Sequence, residues 1–256
     1  DIAGNDATSF YVSSDAVVNK NLPATPGIPN LITADDSGRS SSDDVTNLNP
    51  IRVSIALPSG IAAGDTLRIA LAATDTSVTT ITLTGIQIAS GTALVTLSPF
   101  NDAALSSASG YSLALKARIE APTGTVDGTN ATLNSEWSGV LHLVIDRVAP
   151  SAPVWDMVDA RPEINIDGFI SFYSKTSRPQ LTGTAEAGSI IKVVANDVVL
   201  GSTTAASDGT WRFDSSGCNL SDGTYAIVIT ATDLAGNVSV ASAAQNLTID
   251  TKVPEH

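Results

Sequence analysis

Four aspartates, Asp35, Asp36, Asp43 and Asp44, fall within ten residues of a serine- and glycine-rich stretch too polar for a strand. Carboxylates at such spacing repel one another, and a hard divalent cation relieves the repulsion. Ca²⁺ takes roughly six to eight oxygen ligands, carboxylates and backbone carbonyls foremost. The alternative is a solvated acidic turn. The stretch lacks the Asp/Asn alternation and terminal Glu of an EF-hand, and it is no nonapeptide array. Asp146, Asp156, Asp159 and Asp233 are a second set able to gather a cation.

Other chemistry is sparse. The histidines are His142 and the terminal His256, and Cys218 is the single cysteine, which excludes a disulfide framework and Cys-rich zinc sites. In Leu141-His-Leu-Val-Ile145 the alternation turns His142 away from the face shared by Leu141, Leu143 and Ile145. There is no Gly-x-Ser-x-Gly elbow, no phosphate-cradling glycine loop and no His-x-x-x-His pair. Carboxylate pairs for glycoside hydrolysis can always be drawn among 26 acids, so they carry no weight. No catalytic residue is assigned, and the chain is expected not to be an enzyme. The rival to metal binding is recognition of a glycan or host protein by the stretch Glu120 to Glu136, with Asp127, Asn130 and the adjacent Trp137. Against it, sugar platforms carry several exposed aromatics, and here only Trp137 is near.

The elements that position these residues follow from composition. With 13 Lys+Arg against 26 Asp+Glu the net charge is −13, so nucleic acid and anionic membrane surfaces are excluded as partners. No apolar run approaches the roughly 20 residues of a membrane-spanning helix. Of the acids 21 are Asp and 5 are Glu, and 28 Thr and 30 Ser alternate with Val, Ile and Leu. Asp favours turns, and β-branched alternation favours strands, so the chain reads as all-β with polar turns.

Internal repeats divide it. Asp1-Ile-Ala-Gly-Asn5 recurs as Asp233-Leu-Ala-Gly-Asn237, and Asn19-Lys-Asn-Leu-Pro23 recurs as Asp146-Arg-Val-Ala-Pro150 and Asp250-Thr-Lys-Val-Pro254. The expected organisation is a hairpin remnant of a preceding domain at 1–24, a first sandwich at 25–149 and a second at 150–256. A chain that opens on Asp1 is expected to be a piece of something longer. The Pro-x-x-Pro punctuation reads as a short stiff connection. In the second unit, strands near 179–184, 190–195, 198–200, 210–213 and 225–231, with a last one ending at Ile249, are separated by Gly188, Asp208-Gly209 and Asp222-Gly223 turns. That spacing predicts a Greek-key β-sandwich. Trp211 and Phe213 share an inward face, and Tyr225 opens its strand like a tyrosine corner. Residues 72–109 are expected to be free of helix, and 120–136 to be a long loop.

Pro179-x-x-x-Gly183-Thr-Ala-Glu-x-Gly188, Ala206-Ser-Asp-Gly-Thr-Trp211, Leu220-x-Asp-Gly-Thr-Tyr225 and Thr232-Asp-x-Ala-Gly-Asn237 resemble the bacterial Ig-like repeats of giant type I-secreted, RTX-type adhesins. The resemblance is dense over 179–254 and patchier before. It implies tandem Ig-like β-sandwiches set end to end, serving as spacers on a bacterial cell surface or secreted, monomeric, and stiffened by Ca²⁺ at the joints between neighbouring repeats. Host glycan or surface protein would be met by other regions. The family's Asp-Thr-Gly turn with an Asp seven positions later maps onto Asp36 and Asp43. The resulting ligand set at the first joint is Asp36 and Asp43, with Asp35, Asp44, Glu120 and Asn19 assisting. At the second joint Asp167 matches the first acid but Ser174 stands where the other belongs, leaving Asp146, Asp159 and Asp233. That joint is expected to respond less to the metal.

Overall fold

The computed structural model describes residues 22–100, 110–126, 129–157, 161–164 and 170–252. Asn19, Asp127, Asp159 and Asp167 lie outside the described residues, as does nearly all of the 1–24 segment.

Alternation of apolar and polar residues builds two β-sandwiches in succession. In the first, β1 (Asn30–Leu31), β3 (Arg52–Ala56) and β6 (Thr92–Thr96) form one sheet. The facing sheet runs β2 (Val45–Thr46), β9 (Leu141–Ile145), β7 (Tyr111–Val126), β4 (Thr66–Leu71), β5 (Ser77–Thr82), with β8 (Thr129–Asn134) hairpinned onto β7. Val53, Ile55, Leu67, Ile69, Leu115, Ile119, Leu143 and Ile145 point inward and are buried, each separated from the next on its strand by a more exposed residue. In the second, β10 (Val154–Met157), β13 (Gln180–Thr184) and β16 (Thr210–Asp214) face a six-stranded sheet. Its order is β11 (Arg161–Ile164), β12 (Ile170–Ser174), β18 (Gln245–Ile249), β17 (Gly223–Thr232), β14 (Ile190–Ala195), β15 (Val198–Thr204).

The aromatic expectations hold. Trp211 and Phe213 are buried in the second core, and the Tyr225 hydroxyl donates to the Ser221 carbonyl at 3.0 Å, a tyrosine corner. Trp155 and Phe172 also pack into that core, ring centroids 5.2 Å apart. His142 is exposed, as the alternation required.

Two expectations fail. A helix, α1 (Gly85–Ser90), stands in the stretch expected to lack one. Thr84 caps it: its hydroxyl accepts the Gln87 N–H while the Gln87 side chain accepts the Thr84 N–H, a capping box that carries the chain between the sheets. The expected long loop at 120–136 is instead the β7–β8 hairpin, paired from Glu120↔Asn134 to Val126↔Thr129.

Both sandwiches seal a gap beside their longest strand with serines three residues apart. Ser135 and Ser138 donate their N–H groups to the Ile119 and Ala117 carbonyls and accept the N–H groups of those same residues on Oγ, at 3.0 and 2.9 Å. Ser239 and Ser242 do the same to Ala231 and Ile229. A side-chain oxygen thus stands in for a strand carbonyl, satisfying buried donors where no strand continues.

Candidate functional site

The acidic loop is placed by a strand only two residues long. β2 runs parallel to β9, pairing Val45 with Val144 and Thr46 with Ile145. The last strand of a sandwich ends at its C-terminal pole, so the loop feeding β2 is carried there too. Asp36 and its neighbours therefore stand at the joint with the second sandwich, not at the first joint where the sequence expectation set them. The same parallel pairing recurs in the second sandwich, Ser171↔Asn246 to Ser174↔Ile249.

The four clustered aspartates have different fates. Asp35 is almost fully buried and paired with Arg52, which donates its backbone N–H at 2.7 Å and its guanidinium to both carboxylate oxygens. Those guanidinium hydrogen bonds hold the Asp35 carboxyl below its ordinary range against the opposing effect of burial. As an anchor of the fold it is not a free ligand. Asp36, 7% exposed, accepts the Asp44 N–H on Oδ2 at 3.3 Å, while its Oδ1 is buried without any partner. Burial first, then the charges of Asp43 and Asp44, push the Asp36 carboxyl up. Asp44 adopts φ 57° and is raised by burial and by Asp43.

At the joint, Asp146 follows β9 of the first sandwich and Asp233 follows β17 of the second. Both are buried, and with Glu186 they line a cleft of about 240 Å³ together with Val45, Val144, Leu234 and Ala235. Asn237 donates its backbone N–H and its amide to Asp233, and the same amide to the Asp146 carbonyl at 2.9 Å. Burial, then Asp233, raises Asp146; burial, then Asp233 and Asp146, raises Glu186. Glu186 was not singled out in the sequence as a ligand, although it lies in the Gly183-Thr-Ala-Glu-x-Gly188 motif. The signal was that Ile190 pairs with Thr232, which puts the β13–β14 turn at the same pole as Asp233. Among the described residues no three carboxylate, imidazole or thiol groups already stand together as a metal-binding set. A cation here would draw on carbonyl oxygens as well.

Glu120 is corrected outright. β7 leaves the C-terminal pole at Tyr111, opposite Ile145, and reaches Glu120 nine residues later, about 30 Å away at roughly 3.3 Å per residue. The serine contacts align Ile119 with Ala231, so Glu120 corresponds to Thr232 and Ala121 to Asp233. Glu120 lies on the outer face of its sheet, bonded to Arg118 at 2.5 Å and Arg68 at 3.5 Å. Trp137 lies over the same face with Lys116 and Arg118 each 4.6 Å and Arg68 5.9 Å from its ring centre. With cations packed on it, the ring is no open platform for a sugar.

Among the described residues no helix is long and apolar enough to cross a membrane. Residues 172–251 match the family model for a bacterial Ig-like domain, so the match falls in the second sandwich. No curated protein matches the chain in sequence. Among solved structures it is similar to a biofilm-associated protein's BSP domain, at 20% identity and a TM-score of 0.30, covering 94% of this chain and 32% of that one. The chain spans about a third of that structure's length. The fold class is all-β, with Ig-like β-sandwiches.

Proposed function

We propose that this chain is a spacer segment of a large bacterial surface adhesin of the type I-secreted kind, and that Ca²⁺ at the joint between its sandwiches holds the spacer stiff. The bacterial Ig-like match over 172–251 supports the adhesin-repeat reading. The single observation that carries the calcium reading is the Asp36 Oδ1 atom, buried, ionisable and unpartnered beside Asp43 and Asp44. An orphaned buried carboxylate oxygen is costly unless a cation or proton satisfies it. Asp36, Asp43, Asp44 and Asp146 of the first sandwich, and Asp233 and Glu186 of the second, are the acids that would share the metal's charge. Calcium would offset part of their charge and reduce the mutual repulsion that opposes closure of the joint.

Extracellular calcium modules bind with Kd of roughly 10⁻⁴–10⁻³ M, and tenfold saturation adds about 1.4 kcal/mol to the folded state. Calorimetric titration of the whole chain with CaCl₂ tests the reading. Saturable binding in that range, weakened at least tenfold by Asp36→Asn/Asp43→Asn and unchanged by Glu120→Gln, is the expected result. The absence of saturable heat, together with a melting temperature indifferent to Ca²⁺ and chelator, would reduce the cluster to a solvated turn.

A further inference from the structure

The joint contains a second device that uses no charge. Ser37, Gly38 and Arg39 of the first sandwich lie directly against Leu234, Ala235 and Gly236 of the second. Gly38 has φ +88°, and a β-carbon there would sit 2.1 Å from the Leu234 carbonyl oxygen and 2.8 Å from the Gly236 nitrogen. Gly236 has φ +94°, and a β-carbon there would sit 2.9 Å from the Gly38 Cα. The Arg39 N–H donates to the Leu234 carbonyl at 3.2 Å, and the Ser37 hydroxyl to the Ala235 carbonyl at 2.7 Å. Ser37 also accepts the Asn47 N–H at 2.9 Å, which fixes its hydroxyl within its own loop. Ala235 is 1% exposed.

The geometry points to a glycine-on-glycine latch: the Ser37-Gly38 turn is a docking surface for the Ala235-Gly236 turn of the following sandwich, and it holds the joint without metal. Two backbones approach this closely only where both lack a side chain, and only glycine adopts both left-handed turns without strain. The contacts are backbone and hydroxyl hydrogen bonds, which neither chelation nor salt removes. The latch also selects its partner. At the N-terminal pole of the first sandwich Ala121 replaces Asp233 and the β7–β8 hairpin replaces the Leu234–Asn237 turn. Among the described residues that pole offers no Ala-Gly turn in the place of Ala235-Gly236, so the latch is particular to the joint between these two sandwiches.

The test separates strain from contact. Gly60 in the first sandwich and Gly223 in the second also have positive φ, +83° and +152°, but a β-carbon at either meets nothing within 4 Å. Spin labels at Thr80→Cys and Lys192→Cys, in a Cys218→Ser background of the whole chain, report the distance between sandwiches in the presence of EDTA. The expected result is a narrow distribution that broadens at least twofold in Gly38→Ala and stays narrow in Gly60→Ala. Gly236→Ala against Gly223→Ala repeats the comparison from the second sandwich, should Gly38→Ala unfold the first. A distribution already broad in EDTA overturns the latch, and if Ca²⁺ then narrows it, the calcium reading survives without it. A narrow distribution in EDTA that Gly38→Ala and Gly236→Ala leave unchanged also overturns the latch. A narrow one that only these two variants broaden sustains it, whether or not calcium binds.

Discussion

Ser239→Ala removes one oxygen atom, yet the second sandwich should lose a substantial part of its stability. Ser239 is 7% exposed, and its Oγ accepts the N–H of Ala231, which is fully buried in the longest strand of the sheet. After the substitution that N–H has no partner and no route to water. Leaving a buried donor unpaired costs about 1–3 kcal/mol. The hydroxyl's own donation goes to the Val240 carbonyl at 2.8 Å, beside an exposed side chain, so water replaces it at little cost. Folding free energies of single domains are roughly 5–15 kcal/mol, and in a domain of this size each 1 kcal/mol moves the melting temperature by about 4–8 °C. Urea titration followed by tryptophan emission separates the sandwiches, because Trp155 and Trp211 report the second and Trp137 the first. The transition of the second sandwich should move while that of the first stays, and Ser207→Ala, at an exposed turn, should shift neither by more than about 0.5 kcal/mol. A loss below about 0.5 kcal/mol for Ser239→Ala would show that solvent reaches the Ala231 N–H, and that the serine does not act as a surrogate strand.

Trp211→Ala should cost the second sandwich about 3–5 kcal/mol as a large-to-small core change; a urea-midpoint loss below about 1 kcal/mol would place the ring outside the core. The joint should also respond to pH when metal is chelated. Asp36, Asp44, Asp146 and Glu186 are raised in the folded state, so they favour folding while protonated, and that contribution is lost as pH rises through their raised folded values. In EDTA the melting temperature should therefore rise as pH falls through the raised folded values of these carboxyls. Asp35 works the other way, since its depressed value gives stability that is lost as pH falls through it, so the first sandwich should weaken at the acid extreme. A monotonic loss of stability from pH 7 downwards would contradict the assignment of raised carboxyls at the joint.

The strands of the second sandwich, the inward Trp211 and Phe213, the corner at Tyr225 and the outward His142 were all readable in the chain, because each depends on alternation and turn residues a few positions apart. The repeats were readable for the same local reason. Where the acids meet was not. Asp36 lies close in sequence to the linker near Pro23, but β2 pairs parallel with β9, and that pairing, between residues about a hundred positions apart, carries the loop to the opposite pole. Glu120 was expected among the joint acids, at the end of a long apolar strand where the second sandwich has Asp233. A one-residue difference in register puts it instead on the outer face beside Arg68 and Arg118, since successive side chains on a strand face opposite ways. The capping box at Thr84 and Gln87 was present in the sequence but too short a signal to stand against a run of threonines. Composition and local pattern determined what kind of sandwiches form; non-local pairing decided which carboxylates, and which two glycines, face each other across the joint.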